Sequence, residues 1–310
     1  MACDRQAEGS LAMTFSAVTT VIAPAASFDL TDLTTAKDEL AIGGNNTADD
    51  SWLRRAITQV SRAVMAYTKR TFSPEFVSDA FSVDPRTSTS RALGSSILQL
   101  TRWPLIDVVS VIQTQPSGLT QTLAEGAGFT VNPATGELTR IDASTGMALI
   151  WEALPVTVRY VAGYGAAAVE THVVPGVSPY EVTVSQSAVF SCDQAVAYPN
   201  GTLLTLVSSA PTAGQYAVSA GAYTFNAADA GKSLSFTYAT KAVPDDLVEI
   251  ALRLITARYR AKGRDPSLVQ RETPGVGMER WWFGAVPGQT GPFSPDIEGA
   301  LEFYCMPVLV

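Results

Sequence analysis

Cysteine, histidine and charge are all scarce in this chain. Its 310 residues include three cysteines and one histidine, and Asp, Glu, Lys and Arg together make up only 16%. Cys3, Cys192 and Cys305 lie far apart with no CxxC pair. That spacing argues against a disulfide framework or a zinc site and fits a reducing compartment. His172 has no Gly-x-Ser-x-Gly elbow to serve, so a Ser–His–Asp triad is not expected. HExxH, EF-hand and Walker A sequences are missing, and Gly275-Val276-Gly277 lacks the third glycine of a dinucleotide fingerprint. The reading is therefore a non-enzyme, with no catalytic, metal-binding or cofactor-binding residue. No run approaches the eighteen apolar residues of a membrane span, so no membrane partner is expected. Leu11–Ala26 imitates a signal peptide, but Asp4 and Glu8 outweigh Arg5 before it, and a positively charged start is what such a segment requires. Either Met1 or Met13 serves as a start. Basic residues are also in deficit, with 21 Lys+Arg against 29 Asp+Glu and a net charge of −8. This argues against a broad nucleic-acid-gripping surface, which rests on many Lys/Arg–phosphate contacts. It does not exclude a surface past which DNA slides.

What is present is a hydrophobic share of 46%, enough for two domains with their own cores. Residues 13–30 read as an extended arm. Thr34 and Thr35 ahead of Lys37-Asp38-Glu39-Leu40 suggest a short capped helix, stopped by Gly43-Gly44-Asn45-Asn46. Asp49-Asp50 then sit at a favourable helix N-terminus. Trp52, Leu53, Ala56, Ile57, Val60, Ala63, Val64 and Tyr67 recur at helical spacing behind them, while Arg54, Arg55, Gln59 and Arg62 take the other face. From Phe76 to Tyr160 the pattern changes to strands, with Val156, Val158 and Tyr160 alternating.

About seventy-five nearly charge-free residues follow Pro155–Tyr164, before Val243-Pro244-Asp245-Asp246-Leu247 opens a helix striped by Leu247, Ile250, Ala251, Leu254, Ile255 and Tyr259. Between those points, Tyr180, Val182, Val184, Leu203, Leu204, Leu206, Val207, the run Gln215–Phe225 and Leu234, Phe236, Tyr238 repeat the strand grammar of a small sandwich or barrel. This segment is expected to fold separately. The divisions are an N-terminal arm at 1–27, a discontinuous core at 28–165 and 242–310, and an inserted β domain at 166–241. Arg253, Arg258, Arg260, Lys262 and Arg264 form a local basic stretch. Two readings stand for it: cations suited to a helix C-terminus, or a surface for an acidic partner or passing DNA. Gly- and Pro-rich sequence holding Trp281-Trp282-Phe283 leads to Ile297–Tyr304 and an apolar end, Pro307–Val310.

Four stretches together resemble the head–tail connector (adaptor) family of tailed bacteriophages, found also in prophages and gene transfer agents. They are Leu33–Ile42; Asp49-Asp50-Ser51-Trp52-Leu53 running to Ala66-Tyr67-Thr68-Lys69-Arg70-Thr71-Phe72; Arg102-Trp103-Pro104-Leu105 with Val156–Tyr164; and Val243–Leu247 with its helix. The resemblance covers about 28–164 and 242–270. It implies an α+β fold: a helical connector core with β-hairpins, interrupted by an inserted all-β domain, sandwich- or barrel-like. It also implies a virion neck protein, assembled in the host bacterial cytoplasm as a homo-oligomeric ring, usually of twelve copies. Such a ring sits beneath the portal protein, extends the DNA channel through which viral DNA passes, and docks the next neck, tail-terminator or tail protein. The family's use of its C-terminal segment to hold the portal points to Leu301, Phe303, Tyr304, Pro307 and Leu309 as portal or inter-subunit contacts. The alternative is a virion-associated β module for a carbohydrate or host-surface ligand, for which Tyr198, Tyr216 and Tyr223 are the candidate aromatics.

Overall fold

The computed structural model describes residues 15–83, 96–115, 117–152, 154–262, 270–273, 277–280 and 293–305. Along the chain come β1 (Phe15–Ala23), α1 (Leu33–Glu39), α2 (Asp50–Thr68), β2 (Glu75–Val83), β3 (Ile97–Gln99), β4 (Leu105–Thr114) and β5 (Thr120–Leu123). Next are β6 (Phe129–Asn132), β7 (Glu137–Arg140), β8 (Val156–Ala162), β9 (Gly165–Val173), β10 (Glu181–Thr183), β11 (Phe190–Ala197) and β12 (Thr205–Leu206). The chain continues through β13 (Gln215–Ser219), β14 (Ala222–Phe225), β15 (Ser233–Lys241), α3 (Asp245–Arg260), β16 (Gln270–Thr273), β17 (Gly277–Arg280) and α4 (Pro295–Glu302).

Two compact units result. A helical unit holds Phe28–Phe72 and the chain from Val243 onward, and a β unit holds the β1 region and Ser73–Ala242. In the helical unit α2 buries Leu53, Ala56, Ile57, Val60 and Val64, the stripe its periodicity marks, and α3 buries Leu247, Ile250, Ala251 and Ile255. Ser61 and Thr68 are also buried on α2. Each hydroxyl donates to the carbonyl four residues back, of Ile57 and Val64 respectively, so neither enters the core unsatisfied. Ser61 Oγ also accepts the Leu30 amide. The true cap of α1 is Asp32, whose carboxylate accepts from the Thr35 amide and hydroxyl.

The described residues of the β unit form four sheets. Strands β1-β2-β8-β4-β5 form one and β3-β7-β6 a second. Their shared core contains Val77, Phe81, Leu98, Leu138, Trp151, Val158 and Tyr160. Strands β11-β15-β9 and β10-β14-β13-β12 form the other pair, around Val182, Val196, Tyr216, Tyr223, Phe225, Leu234, Phe236 and Tyr238. A third cluster joins the two halves: Ala23, Phe76 and Val161 pack with Cys192 and Ala239. Beside it Ser191 Oγ donates to the Pro74 carbonyl at 2.8 Å, and the Ala26 amide donates to the Ser191 carbonyl at 2.7 Å.

These findings correct the expected fold class. Among the described residues strand far outweighs helix, in several antiparallel sheets, so this is not a helical core carrying an inserted domain. The reason lies in residues 75–162, which the helical reading treated as hairpins decorating helices. Their alternating Val, Phe and Tyr side chains instead close a five-stranded sheet with β1, a layer with its own core. The chain also does not leave this body after β8. Gly163, at φ +141°, turns it directly into β9, and a Cβ there would lie 2.6 Å from Pro74 backbone atoms. Cys192 is a free buried thiol, whereas Cys305 is disulfide-bonded.

Candidate interaction surface

The two Asp-Asp pairs that open α2 and α3 read in sequence as helix-end carboxylates. In the structure they tie helices together. Asp49 makes no side-chain capping bond; it accepts from the Tyr259 hydroxyl at 2.7 Å and from the Lys262 ammonium. These two hydrogen bonds, Lys262 first, hold its pKa below the usual carboxylate value. Trp52 meets Tyr259 edge-on at 5.6 Å, and Lys262 lies 5.6 Å over the Trp52 ring. Asp50 pairs with the buried Lys37 of α1 at 2.6 Å. At the other end, Asp246 accepts from the Tyr304 hydroxyl at 2.6 and 2.8 Å. The start of α2 is thus fixed to the end of α3, and the start of α3 to the residues after α4.

This arrangement sorts the basic stretch. Lys262 is engaged by Asp49, and Arg253 forms an exposed pair with Glu249 at 2.5 Å, the kind of contact worth little in water. Arg258 and Arg260 sit exposed in the last turn of α3, and Arg258 donates to Gln59 of α2 at 3.3 Å, across 199 residues of sequence. Arg264 lies outside the described residues. Gln59 shares an α2 face with Arg55 and Arg62, four residues before and three after, both exposed. The α2–α3 seam is therefore flanked by Arg55, Arg62 and Arg258. Sequence reasoning assigned Arg55 and Arg62 only to the outer face of α2; their spacing around Gln59 was visible, but not its neighbour on α3.

The C-terminal candidates separate as well. Leu301 is completely buried with Ile297 on the inner face of α4. Tyr304 packs edge-on against Phe72 at 5.8 Å as its hydroxyl meets Asp246. Phe303 is 90% exposed. Pro307 and Leu309 lie outside the described residues, as does Trp281-Trp282-Phe283.

In the β unit, carboxylates are enclosed by hydroxyl groups. Asp79, fully buried, accepts from Tyr160 at 2.7 Å, from Thr101 at 2.9 Å and from Thr19 at 2.7 Å. Asp193 accepts from Tyr216 at 2.6 Å and Tyr223 at 2.9 Å. Burial pushes the Asp193 carboxyl up, the two phenols pull it part of the way back, and the balance is about 6. Burial also acts to raise Glu170, but hydrogen bonds from Tyr238, Ser185 and His172 overcome it and bring the carboxyl to about 2. His172 bonds Glu170 at 2.7 Å and meets the Phe236 ring edge-on. Tyr216 and Tyr223 are core residues, so no sugar can stack on them. Tyr198 donates to Asp229, with Lys232 over its ring. Among the described residues no group of three His, Cys, Asp or Glu is placed to hold a metal ion, and no described helix is long and apolar enough to cross a membrane.

No family model and no curated protein matches the chain. Solved structures that do match include a chain from the neck of an empty GTA particle, at 17% identity and a TM-score of 0.33, covering 48% of this chain and 72% of that one. Another is a chain from the virion of a native gene transfer agent particle, at 19% identity and a TM-score of 0.31, covering 50% and 73%. A third, from the neck of a native GTA particle, has 19% identity and a TM-score of 0.27, covering 50% and 71%.

Proposed function

We propose that this chain is a structural protein of a tailed-particle neck. It is a head–tail adaptor whose copies form a ring beneath the portal, extend the DNA channel and dock the next neck or tail protein. One observation carries the reading. Three of the four stretches that resemble connectors, at 33–42, 49–72 and 243–260, come together as α1, α2 and α3 of a single helical unit although Ser73–Ala242 of the β unit separates the second from the third. Their distinctive residues are the ones that join it, Asp49 to Tyr259 and Lys262, and Phe72 to Tyr304 to Asp246. The Arg55–Arg62–Arg258 seam supports a face for an acidic partner surface or passing DNA. The exposed Phe303 and the apolar end after it support a hydrophobic anchor, because water disfavours apolar surface by about 25 cal/mol per Å².

The test is genetic. Particles made without this chain should accumulate as filled heads that lack tails and lose DNA, and expression of the chain in trans should restore them. Normal tail attachment in its absence would refute the reading.

A further inference from the structure

Among the described residues the β unit ends in two long strand edges. β1 lies at the margin of its five-stranded sheet, where the one described strand beside it is β2, from Phe15 opposite Val83 to Ala23 opposite Phe76. β9 lies at the margin of its three-stranded sheet, where the one described strand beside it is β15, from Gly165 opposite Lys241 to Val173 opposite Ser233. Each has nine residues. An unpaired edge presents a row of free N–H and C=O groups that another strand can satisfy, and proteins guard such edges with lysines, prolines, bulges or inward charges. Here the guard is slight. β1, FSAVTTVIA, has no charged residue, and its only interruptions are a bulge between Val21 and Ala23 and the Pro24 that follows. In β9 the ionisable groups are Glu170 and His172, which bond to each other while Glu170 also receives Tyr238 and Ser185. Around them branched apolar side chains stand in water: Val18 is 62% exposed, Val169 67% and Val173 61%.

We infer that β1 of one copy adds to β9 of a neighbouring copy, so that the β units join by a shared sheet. The occupant is a second copy for reasons of charge and symmetry. Two copies that each carry a net charge of −8 repel least where charge is sparse: β1 has no charged residue, and the one carboxylate of β9, Glu170, is held by Tyr238, Ser185 and His172 of its own chain. Two different edges on one chain make a heterologous contact, which propagates from copy to copy and closes into a ring when the rotation permits. The two strands match in length, and their main-chain groups supply affinity without side-chain specificity. The inference rests on the proposal that copies assemble, and adds the surface by which they do so.

Cysteine cross-linking of the full chain tests it. Cα atoms of directly opposed residues on paired strands are about 4.5–5.5 Å apart, within the span of a disulfide. Val18→Cys is combined in turn with Ala166→Cys, Ala167→Cys, Val169→Cys and Thr171→Cys, and each double variant is oxidised mildly and run without reductant. At least one should give a ladder of oligomers that neither parent single variant gives. Independently, Thr20→Lys or Thr171→Lys, both at exposed positions, should shift the assembly to monomer in sedimentation while the melting temperature stays put. The inference is overturned if no double variant exceeds background, if a single variant alone yields a dimer that stops at two, or if both lysine variants keep the assembly. Neither readout uses the portal. Ladders without portal binding would sink the neck reading alone, and portal-bound rings without ladders would sink this inference alone.

Discussion

Replacing Asp193 by Asn should make the β unit less sensitive to pH and more stable near neutrality. The Asp193 carboxyl is 3% exposed, and its partners Tyr216 and Tyr223 are themselves buried. Its folded pKa of about 6 lies above the ordinary 3.8 because burial disfavours the charge more than two phenol hydrogen bonds favour it. The folded state therefore holds this proton more tightly than the unfolded chain does. Its contribution is fully present below about pH 4 and is lost as pH rises through about 6. Moving between those two values amounts to about 3 kcal/mol. The groups facing Asp193 do not titrate in that window. Burial raises Tyr216, Tyr223 and Tyr238, and burial together with the charges of Asp193 and Glu75 pushes the Cys192 thiol up to about 12. Asn is neutral and of similar size, and its amide can still meet both tyrosine oxygens. Melting curves of wild type and Asp193→Asn should be collected every half unit from pH 3.5 to 8. The difference between the two chains should grow between pH 4 and 6 and then level off, with Asn the more stable. For a unit of this size about 3 kcal/mol corresponds to roughly 6–12 °C. Parallel curves, or a difference that grows below pH 4, would refute the reasoning. Subtracting the variant removes the opposite contribution of Glu170, whose carboxyl is at about 2 and whose stabilising effect is lost only as pH falls.

Replacing 166–241 by a short Gly-Ser linker should abolish cooperative unfolding of the remaining β unit, since Cys192 and Ala239 cover Phe76, Val161 and Ala23; a remnant that still melts cooperatively by circular dichroism would contradict this. Leu301→Ala should destabilise the helical unit by roughly 2–5 kcal/mol in denaturant titration, while Phe303→Ser should stay within about 0.5 kcal/mol of wild type yet lower occupancy on portal rings. Changing Arg55, Arg62 and Arg258 together to Ser should weaken partner binding at low salt and flatten its salt dependence, measured by sedimentation; unchanged salt dependence would return these residues to an ordinary solvated face.

The elements that repeat a local pattern were readable from sequence. The stripe of α2, the Asp-Asp opening of α3, the alternating strand at Val156–Tyr160 and the strands of the 215–225 run all appear where periodicity puts them. The sheet order was not readable, because β1-β2-β8-β4-β5 pairs strands far apart in sequence, Glu75 with Ala162 and Phe15 with Val83 among them, by backbone groups that every residue carries. The helices stood out because one long stripe is easier to see than many short strands, and this tilted the expected fold class the wrong way. The buried carboxylates were equally hidden. Nothing near Asp193 in sequence announces that Tyr216 and Tyr223 enclose it. The surface was half legible: Arg258 was named from its own helix, but its partner Gln59, and with it Arg55 and Arg62, is placed by tertiary packing alone.

The central claim is that copies of this chain form the ring next to the portal. Purified portal rings should be mixed with the full-length chain and imaged by electron microscopy, with a chain truncated after Cys305, which keeps α4 and Tyr304, as the control. The account predicts an added ring at one end of the portal, coaxial with its channel, that the truncated chain does not form. Portals that stay bare at saturating concentrations of the full-length chain would contradict it.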